Sequence, residues 1–204
     1  MGDSSFIDAF YTRHLEMHQY LLEQKEVSFA SDLNTTFARS LVLAIASFFE
    51  HEVTEIVRQV PAVYAKGQPM IAAMIEKNVI ARKYHTWFDW DARSAGPFLA
   101  LFGSEYKSAV QARLKKGGSE YTAISAFLEL GNIRNRLVHQ NYVQFQVERT
   151  SEELHALFRD ALPVLKFMRE SLGVDTAVPP EDSADISADS KSDLATLFYG
   201  NGAD

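Results

Sequence analysis

The sequence predicts an all-α protein, on three observations. Almost every long segment places its apolar residues at steps of three to five. No run alternates β-branched and polar residues as a half-buried strand would. No Asn-Gly pair stands between two alternating runs as a hairpin turn would, and there is no internal repeat. A chain of 204 residues is enough for one domain with a sizeable core and an appendage. At 47% hydrophobic and 23% charged residues it has the composition of an ordinary soluble globular protein.

The elements follow in order. A first helix starts at Asp3 or Ser4 as N-cap and runs to about Lys25, with Phe6, Phe10, Leu15, Met17, Leu21 and Leu22 on its apolar positions. A second opens near Ser31–Asp32 and is closed by Pro61; Phe37, Leu41, Ile45, Phe48, Val53, Ile56 and Val60 form its wide apolar stripe. A third covers about Pro69 to Lys83. The segment 85–98 is aromatic and turn-rich, with Gly96–Pro97 as a breaker. A fourth helix spans Ser104 to Lys115 and stops at Gly117–Gly118; a fifth begins at Ser119. A sixth is capped at Thr150–Ser151, where "SEEL" puts acids in the first turn, and ends at Gly173 as a C′ glycine.

The net charge of −7 is unevenly placed. Residues 174–204 hold seven of the 27 acids and one of the 20 bases, so the body to residue 173 is near neutral. An acidic total is therefore weak evidence against a nucleic-acid substrate. The tail is rich in Pro, Ser and Asp, a composition that cannot bury enough apolar surface to order itself. Its "LATLFYG" end reads as a chance apolar tip or as a tethered docking peptide. The chain contains no cysteine, which removes disulfides, thiolate zinc sites and Cys nucleophiles and fits a cytoplasmic protein. No run reaches the length of a membrane helix and no signal-peptide pattern opens the chain, so no membrane partner is expected.

The fifth helix carries the chemistry. After the apolar "YTAISAFLEL" comes "GNIRNRLVHQNY", residues 131–142, with Arg134, Asn135, Arg136 and His139 in close succession. Asn135 and His139 share a face; Arg134 and His139 are about 140° apart around an ideal helix. That is awkward for one chain to aim at a single phosphate and simple for two chains packed about a twofold axis. A 2′-hydroxyl of RNA can attack its own phosphodiester without a metal. One group must take the proton, another must protonate the leaving oxygen, and a cation must hold the phosphorane. Histidine suits the proton steps and arginine the phosphate. Equally, arginines at a helix C-terminus are favoured by the helix dipole with no site involved.

"RNRLVH" resembles the R-x4–6-H signature of HEPN domains, with the polar residue after Arg found in ribonuclease-type members. "SFFEHEV" (47–53), "PFLALFGSEYK" (97–107) and "FLELGNIRNRLVHQNY" (127–142) are similar, in order, to blocks of the RiboL-PSP-HEPN branch. The resemblance covers about 1–172 and leaves the tail unexplained, giving a HEPN-like helical domain at 1–173 and an acidic flexible tail at 174–204. It implies an antiparallel helical bundle with additional short helices, a homodimer joined at the motif helices, and a metal-independent endoribonuclease needing no cofactor. It also implies a setting in toxin–antitoxin, phage-defence or RNA-repair systems, with an antitoxin or defence protein as partner. Arg134 and His139 become the catalytic pair, His139 working with its dimer mate, and Asn135 the accessory polar residue. An accessory acid from an earlier helix falls to Glu50 or Glu52; Glu52 lies on the Phe48–Ile56 stripe and Glu50 off it. Arg136 is a candidate for a flanking phosphate. The rival implication is a non-catalytic interaction module binding a protein or nucleotide on the same surface.

Two other patterns compete for function. "HLEMH" spaces His14 and His18 to share a metal, but Glu16 falls on another face and no third ligand is marked, so surface or interface histidines are expected. In "ARKYHTWFDW", Arg82, Lys83 and Trp87 are candidates for RNA contact through charge and stacking, against a packed aromatic cap. Lys107, Arg113, Lys115 and Lys116 read as a solvated helix end. The tail could also brake a basic cleft, being its electrostatic complement.

Overall fold

The structure is a computed structural model that describes residues 3–174; the acidic tail and its apolar end lie outside the described residues. Helix α1 (Ser5–Glu23) turns back on α2 (Val27–Tyr64). Short helices follow: α3 (Pro69–Ile75), extended by a π-helical turn at Glu76–Ile80, then a 3-10 turn at Tyr84–Thr86 and α4 (Gly96–Ala100). Helices α5 (Ser104–Arg113), α6 (Ser119–His139), α7 (Ser151–Ala161) and α8 (Pro163–Ser171) complete the fold. Among the described residues the extended backbone amounts to one isolated bridge, Asp89 to Ser94.

Contacts along α2 set the directions. Phe37 stacks on His14 and packs at a tilt against Phe10 of α1, and Asn34 bonds His14, so α1 runs antiparallel to α2. Phe49 meets Phe127 of α6, while Arg39 reaches past the end of α6 to the Phe145 carbonyl, so α6 is antiparallel as well. Phe48 meets Phe158 of α7 and the Tyr64 hydroxyl donates to the Leu172 carbonyl beyond α8, so α7–α8 runs parallel to α2. The core gathers where these rows cross, around Leu41, Ile45, Phe49, Phe127, Leu137, Leu154 and Phe158.

Four boundaries differ from the periodicity reading. Helix α2 begins at Val27 because Lys25 takes the left-handed backbone (φ 62°) and closes a three-residue connection without glycine. Ser31–Asp32 therefore lies inside the helix. Pro61 sits within α2 because a proline disturbs the turn before it; its own carbonyl still accepts from Ala65 N–H at 2.9 Å. The third helix widens to a π turn and stops at Ile80, short of Lys83. The sixth expected helix is two, since Pro163 takes the first turn of α8. Thr150 and Glu153 form the anticipated capping box, and Gly173 has a φ of 64°, as a C′ glycine should.

His14 and His18 do not bracket a metal. Both bond Asn34, at 2.8 and 2.9 Å, and His14 is buried against Phe37. Burial holds the His14 imidazole below its ordinary value, aided by His18 and opposed by the Asn34 bond. A depressed folded value means the unfolded chain binds the proton first. Stability from His14 is thus complete above its unfolded value, near 6.5, and is lost as pH falls through the lower folded value. Thermal midpoints should drop between pH 7 and 5, and His14→Phe should flatten that drop; an unchanged slope in the variant would exclude this origin.

Candidate active site

The last two turns of α6 form one wall of an open cavity of about 650 Å³. Arg134, Asn135, Val138 and His139 line it from α6, and Glu50 lines it from α2. Tyr84 and His85 come from the 3-10 turn, Phe88, Asp89, Trp90 and Asp91 from the turn that follows, and Pro97 from α4. A water-sized recess of about 20 Å³ shares Glu50, Tyr84, His85, Trp90 and Arg134, and adds Phe49, Phe127, Leu130 and Gly131 as apolar walls. Arg134 and His139 thus border one space in one chain, with Asn135 and Val138 between them on the helical surface.

The aromatic segment is a wall because α6 was cut to receive it. A Cβ at Gly131 would fall inside the Trp90 indole, so only glycine lets that ring lie on the helix. The buried Asn132 amide donates to the Trp90 carbonyl at 3.0 Å, and the indole N–H donates to the His85 carbonyl at 3.1 Å. Asp89 closes the turn by pairing both backbone groups with Ser94 and accepting from Ala92 N–H at 2.9 Å. Burial pushes the Tyr84 hydroxyl well above its ordinary value, with the Glu50 carboxylate adding to the rise and Arg134 opposing it. That hydroxyl therefore stays protonated at neutral pH and is available as a hydrogen-bond donor.

Several expected residues lie elsewhere. Glu52 is buried, 3% exposed, and faces Arg169 of α8 at 3.5 Å; it belongs to the packing between α2 and α8, two positions around the helix from the cavity. Trp87 is 2% exposed and its indole N–H donates to the Val79 carbonyl, so no ring face is open to a base. Arg136 points away from the cavity, paired with Glu148 at 3.2 Å and lying over the Phe145 ring, which accounts for its charge without a phosphate. Arg82 and Lys83 are exposed beside the 3-10 turn but do not line the cavity. Arg113 is engaged by Glu120 at 2.6 Å and lies over Phe167, while Lys115 and Lys116 are exposed. The cavity residues that sequence reasoning left out are His85, Asp89 and Asp91, together with Gly131 of the recess and its neighbour Asn132, which holds the aromatic wall; the signal for that pair was a glycine in mid-helix, which costs about 1 kcal/mol unless packing requires it.

The two acids separate experimentally. Glu52→Gln should lower the unfolding midpoint because it weakens a buried ion pair, whereas Glu50→Gln should leave the midpoint within about 0.5 kcal/mol. A Glu50 variant as destabilised as the Glu52 variant would contradict this assignment.

The fold and site together define an all-helical domain with a polar cavity at the end of a core helix, lined by arginine and imidazole. The family model for RiboL-PSP-HEPN matches residues 9–173, and the chain belongs to that family. No curated protein and no solved structure matches the chain. Among the described residues no three His, Asp or Glu side chains are grouped to hold a metal, and no helix is long and apolar enough to cross a membrane.

Proposed function

We propose that this HEPN domain is a metal-independent endoribonuclease acting at the α6 cavity. The observation that carries the reading is the shared lining: Arg134, Asn135 and His139 of one helix border the same space as Glu50. Arg134 would grip the scissile phosphate through its fork of N–H donors. His139 would move one of the two protons, and Asn135, one turn before it, would orient the imidazole or the phosphate. A second group must move the other proton. Glu50 would hold the Tyr84 hydroxyl and Arg134 in register.

One arginine faces three carboxylates, Glu50, Asp89 and Asp91, across this cavity. A phosphodiester there gains from a further cation, which a second copy packed about a twofold axis would bring as its own Arg134. Val138, 44% exposed between Arg134 and His139, offers the apolar contact for that packing. Toxin–antitoxin, phage-defence and RNA-repair settings all suit an RNA-cutting module of this kind. The test is cleavage of mixed RNAs in EDTA with analysis of the ends: a 2′,3′-cyclic phosphate and a 5′-hydroxyl are expected. Activity abolished by EDTA, or 3′-hydroxyl products, would defeat the mechanism.

A further inference from the structure

The cavity holds two imidazoles from two different elements, His139 at the end of α6 and His85 on the 3-10 turn. We infer that His85 is the second proton-transfer group, so that one chain carries both the acid and the base of the reaction; this rests on the ribonuclease reading above.

Three observations lead there. First, His85 lines both the cavity and its recess, and Arg134 lines both as well, so the guanidinium that would hold a phosphate is common to the space in front of either imidazole. The cavity volume lies within the usual range for a ligand cleft, roughly 300–1,000 Å³. Second, the backbone of His85 is held in place while its side chain is exposed. Its carbonyl accepts from the Trp90 indole, the indole lies on Gly131, and Asn132 grips the Trp90 carbonyl. The turn itself is closed by Thr86, whose N–H and hydroxyl both donate to Lys83, at 2.8 and 2.7 Å. The registration with α6 is made within one helical turn of Arg134, which is how an active-site group is preorganised. Third, imidazole is the side chain here suited to either proton step. The other titratable groups facing the space are Glu50 from α2, Tyr84 from the 3-10 turn and Asp89 and Asp91 from the turn after it. Carboxylates are poor proton donors at neutral pH and so could serve only as the base, the Tyr84 phenol is a poor base, and guanidinium keeps its proton.

The step balances within the chain. One imidazole takes the 2′-hydroxyl proton as the O2′–P bond forms. The other, as imidazolium, gives its proton to O5′ as the P–O5′ bond breaks. The products are the cyclic phosphate and the 5′-hydroxyl, and the two imidazoles have exchanged protonation states, which solvent resets.

The experiment compares wild type, His85→Ala and His139→Ala on RNA and on uridine 3′-(4-nitrophenyl phosphate), whose leaving group needs no proton. His85→Ala should lower kcat on RNA by about a hundredfold with little change in KM. It should remove one limb of the pH–rate profile and recover activity with added imidazole. On the nitrophenyl ester one of the two variants should regain near wild-type rates and so reveal the acid. If His85→Ala stays within about threefold of wild type while His139→Ala is inactive, the inference fails and the ribonuclease reading stands. If wild type cleaves no RNA, the ribonuclease reading fails. The two-imidazole site is then read by titrating wild type with uridine 3′-phosphate and following both imidazole resonances by NMR; a His85 signal that does not move overturns it.

Discussion

His139→Ala and Arg134→Ala are each expected to lower RNA cleavage in EDTA by about three orders of magnitude. A positioned proton-transfer group contributes roughly 10²–10⁴ in rate. A donor aimed at charge developing in the transition state contributes a similar 10²–10³. Arg134→Lys should fall between, because lysine keeps the charge but loses the two-pronged fit to phosphate oxygens. Neither alanine variant should unfold the domain. His139 is exposed and Arg134 is half-buried on the cavity wall, outside the core formed by Leu137 and its neighbours. Their unfolding midpoints should stay within about 0.5 kcal/mol of wild type. Single-turnover rates and denaturant titration on the same preparations separate the two quantities. Retained cleavage in both variants would remove these residues from the chemistry.

Gly131→Ala should be the most damaging small substitution in α6. By helix propensity alone it should stabilise, by about 1 kcal/mol. The added methyl, however, meets the Trp90 ring, and that ring cannot move aside cheaply. It is packed against Phe88, Phe127 and Tyr84, its carbonyl is tied to Asn132 and its indole N–H to His85. Overpacking of this kind costs about 1–3 kcal/mol, occasionally more, so the net sign should be destabilising. The change should also pull His85 and Asp89 away from α6 and lower cleavage. Tryptophan fluorescence supplies a readout, since the chain has two tryptophans and the atoms nearest an added Gly131 methyl are those of Trp90. A stabilised variant with wild-type fluorescence would show that the indole does not sit where the structure puts it.

These two positions also show what sequence can and cannot reveal. The helices were legible because burial imposes a period: Phe37, Leu41, Ile45, Val53 and Ile56 face inward as the stripe expected, while Phe49 is buried in place of the expected Phe48. The polar break after Leu130 was legible because it interrupts that period, and the structure places Arg134, Asn135 and His139 on one cavity. What failed was information carried by other elements. Glu50 and Glu52 differed in sequence by their place on the stripe, but the choice between them needed α8, which brings Arg169 up to Glu52. Trp87 and Trp90 looked alike until Val79 and Gly131 gave each its own seat. Arg136 looked like a spare cation until Glu148, twelve residues on, closed over it. His85 had no signal of its own, since a lone histidine in an aromatic run acquires meaning from what faces it.

The chain beyond His139 has a further consequence, one of timescale. His139 is the last residue of α6, where helices fray most readily. The turn after it is held from outside the cavity: the buried Arg39 of α2 donates to the Phe145 carbonyl at 2.8 Å, and Arg149 pairs with Glu129 at 2.6 Å. Opening of that turn would release the histidine while the core stays shut, so the fraction of molecules with a complete site is set by a local equilibrium separate from global unfolding. On the ribonuclease reading proposed above, substitution of either arginine, neither of which lines the cavity, should lower turnover without altering the cavity's composition.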